Sequence, residues 1–418
     1  MRLRTGRGWG RRGVVMLAAG LAAGVAAVAP GVAGAAAPTG AGSIAAGGAH
    51  ACALATGQTV KCWGLDNAGQ LGNGASGNGL IAKKPVSVVG LKGVSAVAAG
   101  DDHSCALLKV LGNVECWGLN NAGQLGNGTR KNSSKPVFVQ AVGGGGAIRG
   151  VIAIAAAGNH TCALRSAAAG VVVCWGQNNA GVLGNGSATR LQALIPESVN
   201  GLTRVTAIST SANDTCALLK GGSLKCWGFN EYGELGPGTY GPNSCDGGEF
   251  SFGCSTTPMT VKGISNVIAV SVRPHSTCAA VKNGRLICWG QNVSPNSVVA
   301  KGFVTLKGVA GVTALASPGD VVIHGDDEFS CALLSSQDVK CWGANNHGQL
   351  GNGSTVSSAV PTYIATKPAF ASAISAGGDF ACARVSLGPV LCWGDNGYGQ
   401  LGNGGAPSHN RPVFVAGL

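Results

Sequence analysis

Short runs that alternate apolar and polar residues recur along the chain, separated by clusters of glycine, asparagine and proline. Within residues 84–128, runs of strand length occupy 85–88, 94–97, 105–108 and 113–117. Alternation with a two-residue period between turn residues is typical of β-strands, and no long stretch has the period of an amphipathic helix. The pattern predicts an all-β protein.

This four-strand unit occurs seven times along the chain. Each copy contains C-A followed by C-W-G, and its first cysteine lies 51 to 62 residues after that of the preceding copy. A repeated unit of about 50 residues with four short strands matches one blade of a β-propeller. We therefore predict a seven-bladed β-propeller of four-stranded blades over residues 43–418.

The two ends of the repeat region are expected to complete one blade together. The chain ends just after a PVxV strand at 412–415, and the repeats begin at 43–47 with what reads as the second strand of a blade. Pairing of N- and C-terminal strands would remove the open edges that a ring otherwise exposes.

The chain has sixteen cysteines, and fourteen of them lie in the repeats. In every copy three residues follow the first cysteine and three precede the second, so only the turn between them varies in length. Antiparallel pairing then places the two cysteines opposite each other, at a Cα separation of about 4.5–5.5 Å that a disulfide can bridge. Buried free thiols are the alternative. The predicted bridges are Cys52–Cys62, Cys105–Cys116, Cys162–Cys174, Cys216–Cys226, Cys278–Cys288, Cys331–Cys341 and Cys382–Cys392, with Cys245–Cys254 in an insertion.

The N-terminal residues have the pattern of an export signal. Five arginines precede an apolar run, and Ala33-Gly34-Ala35 is a small-x-small cleavage site. We predict a signal peptide over 1–35 and a short linker over 36–42, with an uncleaved anchor as the alternative. Many cysteines behind such a signal indicate disulfides made outside the cytosol, and hence a secreted or cell-surface protein without a membrane span once the signal is removed.

The net charge of +12 does not indicate a nucleic-acid partner. The basic residues are scattered, and the densest local group is Arg130, Lys131 and Lys135. A nucleic-acid footprint needs clustered charge. We expect a monomer that binds an unidentified protein and no nucleic acid.

The segments WGLDNAGQLGNG (63–74), WGLNNAGQLGNG (117–128) and WGANNHGQLGNG (342–353) resemble the regulator of chromosome condensation repeat family. The cysteine pair in each unit is similar to an exported bacterial branch of that family. The resemblance implies a seven-bladed propeller that acts as an interaction platform, and it carries over no catalytic residue. The fifth unit departs from the pattern, because its glycine-rich turn is missing after Asn292.

One insertion stands out in the otherwise regular repeat. The fourth unit carries GTYGPNSCDGGEFSFGC, which is rich in aromatic residues and contains the two cysteines outside the repeats. Aromatic residues on a stapled loop are typical interface anchors, although an insertion with a private core is the alternative. The candidate partner-binding residues are Tyr232, Tyr240, Asp246, Glu249, Phe250 and Phe252.

Two further groups have a possible metal interpretation beside a structural one. His50, His103 and His160 occupy one equivalent place in three successive units, and zinc is the alternative to packing there. An acidic group, Asp320 to Glu328 with His324, precedes the sixth hairpin, and its spacing matches no standard calcium loop. We expect no metal and no cofactor.

The sequence thus indicates a binding module without catalysis. Its sharpest form is a secreted inhibitor of a partner enzyme. The competing class is a hydrolase at the central mouth of the propeller, which would need convergent carboxylates or a nucleophile with a base.

Overall fold

The computed structural model describes residues 44–418 except 167–169, 188–190, 239–242, 245–252, 292–298, 320–327, 367–370 and 387. The predicted signal peptide (1–35) and linker (36–42) lie outside this range and stay predictions. Among the described residues, no helix has the length and apolar character needed to cross a membrane.

The described residues form seven antiparallel sheets arranged as the blades of a propeller, which confirms the predicted fold class. Blades 1 to 3 consist of β1 (Ile44–Ala46), β2 (His50–Ala55), β3 (Thr59–Leu65) and β4 (Ile81–Ser87); β5 (Val94–Ala99), β6 (His103–Leu108), β7 (Val114–Gly118) and β8 (Ser133–Phe138); and β9 (Val151–Ala157), β10 (His160–Arg165), β11 (Val171–Gln177) and β12 (Gln192–Ser198). Blades 4 and 5 consist of β13 (Val205–Thr210), β14 (Asp214–Leu219), β15 (Leu224–Phe229), β16 (Asn243–Ser244) and β17 (Gly253–Thr260); and β18 (Val267–Arg273), β19 (Ser276–Val281), β20 (Leu286–Gln291) and β21 (Val299–Leu306). Blades 6 and 7 consist of β22 (Val312–Ala316), β23 (Phe329–Leu334), β24 (Val339–Gly343) and β25 (Ser358–Tyr363); and β26 (Ala371–Ala376), β27 (Phe380–Val385), β28 (Val390–Gly394) and β29 (His409–Phe414). Short 3-10 turns occupy Thr56–Gln58 and Asn179–Gly181, and β16 adds a fifth strand to blade 4.

The ring does not close by pairing of N- and C-terminal strands, so that prediction is wrong. Strands β1–β4 form one complete blade and β26–β29 another. The reason is that each PVxV strand pairs with the C-W-G strand before it, as Val86 does with Cys62, so every blade begins at its inner strand. Blades 7 and 1 instead meet side by side: Gly404 donates its amide proton to the Lys83 carbonyl at 2.8 Å.

The motif tryptophans are buried and give the seams between blades a geometry that repeats around the ring. Six of them donate the indole N–H to a carbonyl of the preceding blade at 2.7–2.9 Å. The glycine two residues after that carbonyl lets the indole approach, because a Cβ on Gly72 would lie 2.7 Å from the Trp117 Nε1. The seventh, Trp342, follows the blade that lacks the glycine-rich turn, and it is 4% exposed. The tryptophans are therefore core residues, as predicted.

All seven hairpin disulfides are present. In each blade the two cysteines face each other on the second and third strands, as Cys105 and Cys116 do on β6 and β7. Their Cα atoms are 4.0–4.1 Å apart, closer than the separation expected from the strand spacing. Cys254 is also disulfide-bonded, whereas Cys245 lies outside the described residues. The described chain has no free cysteine.

The alternating strand directions give the propeller two different faces. One carries the turns between first and second strands and the loops between third and fourth strands of every blade. We call it the glycine face, because the WGxNxxGQLGNG turns lie on it. The opposite face carries the hairpin turns between the paired cysteines and the links from blade to blade.

Candidate functional site

Three segments that depart from the repeat begin and end at strand ends on the glycine face, in three consecutive blades. They are the insertion between β15 and β17, the altered loop after β20 and the long turn between β22 and β23. Of the six candidate partner-binding residues, Tyr232 is described. The other five candidates, Tyr240, Asp246, Glu249, Phe250 and Phe252, lie outside the described residues. The same holds for most of the acidic group, namely Asp320, His324, Asp326 and Asp327.

At three seams a neutral glutamine side chain joins the glycine-rich turn of one blade to the next blade. The Gln70 Nε2 donates to Asp102 Oδ1 at 2.9 Å, and its Oε1 accepts the Ala68 amide proton at 2.9 Å. Equivalent amide contacts link blades 2 and 3 and blades 6 and 7. The glutamine satisfies donors and acceptors on both sides and adds no charge of its own to the seam.

The seam between blades 4 and 5 has Glu234 in this place. Its side chain is fully buried; Oε2 accepts the Tyr232 amide proton at 3.0 Å, and Oε1 has no hydrogen-bond partner among the described residues. Burial raises the pKa of Glu234 to about 8, so the carboxyl is protonated at neutral pH. The Tyr232 ring lies edge-on to His275 across the seam, with 5.5 Å between the ring centres.

Glu328, the last residue of the acidic group, lies at the next seam. It accepts hydrogen bonds from His275 Nδ1 at 3.0 Å and Ser276 Oγ at 3.3 Å, and its carboxylate is 3.6 Å from Arg273 Nε. Burial raises the pKa of Glu328, but the His275 hydrogen bond and the Arg273 charge outweigh burial and hold that pKa below its ordinary value. The hydrogen bond to Glu328 likewise raises the pKa of His275, against the opposing effect of burial. A charged His275–Glu328 pair is the expected state at mildly acidic pH.

Asp214 completes this polar group. It is fully buried at the start of β14. Burial, and then the nearby Glu234 and Glu328 carboxylates, raise the pKa of Asp214 well above its ordinary value. We call the set Asp214, Tyr232, Glu234, Arg273, His275 and Glu328 the 4–6 corner. No group of His, Cys, Asp or Glu in the described part of the chain has an arrangement that could hold a metal ion.

The three equivalent histidines join neighbouring blades. His50 Nε2 is 2.8 Å from Ser104 Oγ, and His103 Nε2 is 2.8 Å from Thr161 Oγ1, in each case a hydroxyl of the next blade. His160 contacts Thr215 in the same way at 3.3 Å. Burial lowers the pKa of His50 to about 4 and the pKa values of the other two to about 3, so all three are neutral at physiological pH.

The central channel is narrow at the glycine face. Small residues of the turns after the inner strands line a cavity there of about 10 Å³, roughly the space of one water molecule. Neighbouring turns meet backbone to backbone: Asp101 donates its amide proton to the Gly158 carbonyl at 3.1 Å. A Cβ on Gly47 would lie 2.3 Å from the Gly100 carbonyl oxygen, so glycine is required at this approach.

Two family models for the regulator of chromosome condensation (RCC1) repeat match most of the chain, and neither of them matches residues 235–324. One matches residues 60–107, 112–164, 169–218 and 339–384, and a second matches 43–70, 94–124, 205–234, 325–349 and 371–400. The mitochondrial RCC1 domain-containing protein RUG3 of Arabidopsis thaliana is 33% identical over 341 residues, which cover 75% of this chain and 69% of that protein. The chain belongs to the RCC1 repeat family.

One further relative and two solved structures are similar to most of the chain. The ultraviolet-B receptor UVR8 of Arabidopsis thaliana is 27% identical over 381 residues, covering 90% of this chain and 81% of the receptor. The structure of yeast RCC1 (Prp20) bound to Kap60 superposes with a TM-score of 0.70 at 20% identity, covering 86% of this chain and 83% of that one. Human WBSCR16 gives a TM-score of 0.69 at 20% identity, covering 86% and 94%. At these identities the two structures establish the fold.

Most of the 4–6 corner is absent from the sequence-based candidates. Glu234 changes one letter of the GQLG motif to GELG, and Arg273-Pro274-His275 replaces the small residues of the other inner-strand turns. Aligning the seven units position by position would have revealed both changes. That the two changes lie close together could be predicted only from the order of the blades around the ring.

Proposed function

We propose that this chain is an exported protein-interaction module without catalytic activity, and that its partner binds the glycine face at the 4–6 corner. The observation that carries the proposal is that the strands flanking the three irregular segments end on one face of three consecutive blades. Regular positions of a repeat are explained by packing between blades, whereas loop residues that break it are available for recognition.

The described part of the corner gives these loops a rigid base. Tyr232 packs edge-on to His275, which is hydrogen-bonded to Glu328, and the disulfide-bonded Cys254 lies at the start of β17. The proposed aromatic anchors are Tyr240, Phe250 and Phe252, and the same insertion contains Asp246 and Glu249. A partner with an apolar cleft and basic residues at its rim would be complementary to such a loop.

Export and binding have independent support. The seven hairpin disulfides favour an oxidising compartment, in keeping with the signal peptide predicted over 1–35. Yeast RCC1 (Prp20), which has the same fold, is bound to Kap60 in its structure, and this supports a protein as the partner of the present chain. The most specific form of our proposal is inhibition of a partner enzyme by the aromatic loop.

The test compares two matched variants in quantitative capture from culture medium and cell wall. One replaces Tyr240, Phe250 and Phe252 by Ser and keeps both cysteines of the insertion. The control replaces two exposed apolar residues of the opposite face, Val110→Ser and Leu111→Asn. We expect the first variant to lose the main captured protein and the control to retain it. Equal recovery by both variants would refute binding through the insertion.

A further inference from the structure

A second surface lies on the outer rim of blades 7, 1 and 2, away from the 4–6 corner. The fourth strands of these blades are β29, β4 and β8. Their registers are equivalent, because Val413, Val86 and Val137 each face the second cysteine of their own blade. Two residues before each valine stands a cation, and the three cations are Arg411, Lys84 and Lys135. Residues far apart in sequence thus take the same place on three consecutive blades.

The three side chains also lie against the same feature of the preceding blade. A Cβ on Gly404 would be 2.8 Å from Lys84 Cε, and one on Gly74 would be 3.4 Å from Lys135 Cε. A Cβ on Gly353 would be 2.9 Å from a guanidinium nitrogen of Arg411. The strands themselves are fixed by backbone hydrogen bonds from these glycines, at 2.8–2.9 Å. The rigid frame therefore holds the three cations at regular intervals along the rim.

The surroundings of these cations are strongly basic. All three side chains are exposed, and so are Lys83, Arg130 and Lys131 beside them. The strands β4, β8 and β29 contain no Asp or Glu. No ion pair in the described part of the chain involves Lys84, Lys135 or Arg411. We call these six residues the basic rim.

Packing at the seams does not require a cation at this position. In blade 4 the equivalent residue is Thr257, whose methyl group would lie 3.8 Å from a Cβ on Gly186. The equivalent residues of blades 3, 5 and 6 are also uncharged: Ile195, Gly302 and Val360. The fold therefore tolerates neutral residues there, and the cations at this position are confined to three consecutive blades of the seven.

We propose that the basic rim binds an anionic polysaccharide. Exposed lysine and arginine side chains attract carboxylate and sulfate groups through charge, in a way that salt screens. The rim curves outward, so a flat membrane surface can touch one blade at a time, whereas a flexible polymer can follow three. This surface is separate from the proposed protein site, so the chain would join a polymer to a partner protein.

The experiment measures retention of the purified protein on immobilised heparin and on polygalacturonate at low ionic strength, about 0.01 M. The test variant carries Lys84→Ser, Lys135→Ser and Arg411→Ser. The control variant removes the same charge from exposed sites of blades 4 to 6, with Lys262→Ser, Lys282→Ser and Lys307→Ser. We expect the test variant to bind about tenfold more weakly and the control to change less than about twofold. Far-ultraviolet circular dichroism checks that both variants are folded.

Three results would overturn the proposal. The first is no retention of the unmodified protein, and the second is an equal loss in both variants, which would indicate net charge alone. The third is tighter binding to phosphatidylglycerol vesicles or to a single-stranded DNA oligonucleotide than to either polysaccharide. A gain of affinity on Ile195→Lys, which extends the row to blade 3, would support it further.

Discussion

Replacing Glu234 by Gln should stabilise the propeller, and the gain should grow with pH. The carboxyl lies in a place that four other units fill with a neutral glutamine, namely Gln70, Gln124, Gln349 and Gln400, and burial raises its pKa from 4.5 to about 8. The unfolded chain ionises this group near pH 4.5, whereas the folded chain keeps it protonated up to about pH 8. The free energy of unfolding of the unmodified protein therefore falls as pH rises between these values.

The size of the effect follows from the shift. Each pH unit in that window costs the unmodified protein about 1.4 kcal/mol, so the full difference at pH 8 and above is at most about 5 kcal/mol. Glu234→Gln removes this cost, and its amide can also donate across the seam, as Gln70 does. At pH 5 the two proteins should be nearly equal in stability.

Urea denaturation followed by tryptophan fluorescence measures the difference, because the motif tryptophans are buried. Both proteins are unfolded at several pH values from 5 to 8 with the disulfides intact. A stability difference that does not change with pH would refute the assignment of a protonated, buried Glu234. Destabilisation of the variant at pH 8 would refute it as well.

Four further results are expected. The unmodified protein should lose stability as the pH falls below 6.5, because burial lowers the pKa of His103 to about 3 in the folded chain and the unfolded chain therefore binds more protons. His103→Gln should reduce the slope of this loss by about 1.4 kcal/mol per pH unit, and measuring the free energy of unfolding at several acidic pH values tests it. Trp117→Ala should lower the free energy of unfolding, measured by urea denaturation, by about 3–5 kcal/mol. Trp342→Ala should lower it by about 1 kcal/mol less, since the indole N–H of Trp117 also donates a hydrogen bond across the seam. Equal losses would contradict the role of that hydrogen bond. Replacing Cys105 and Cys116 together by Ala should cost about 2–3 kcal/mol, and an unchanged melting temperature would argue against the bridge as a source of stability. Alkylation of the unreduced protein should label no thiol on mass spectrometry, and seven or more labelled cysteines would contradict the hairpin disulfides.

The repeat made the blades and their disulfides predictable. Three residues separate each cysteine from the hairpin turn in every unit, so antiparallel pairing leaves one partner for each, as for Cys216 and Cys226. The length of the turn does not change which residues pair, because residues are counted outward from the turn on both strands. Local geometry alone was sufficient here.

The ring closure and the surfaces depend on relations that a single repeat does not contain. The prediction assigned each PVxV strand to the following unit, whereas Val86 pairs backward with Cys62. The basic rim includes Lys84 and Arg411, which are far apart in sequence but lie on adjacent blades because blade 7 packs against blade 1. The basic residues of the rim are far apart in the sequence, so the sequence did not reveal that they share one surface.

The sequence predicted only part of the 4–6 corner, because its residues come from different blades. The aromatic insertion drew attention to Tyr232, and the acidic group to Glu328, but as two separate features. Their connection runs through His275, which contacts both from the turn of blade 5. Only the order of blades shows that one residue joins two loops.

The central claim, that the partner binds the glycine face at the 4–6 corner, is tested most directly by photo-crosslinking in the native host. A photoreactive phenylalanine is placed at position 240 in the insertion or, as the control, at position 110 on the opposite face. We predict one discrete crosslinked protein from position 240 and none from position 110. A crosslink from position 110 with none from position 240 would contradict the claim.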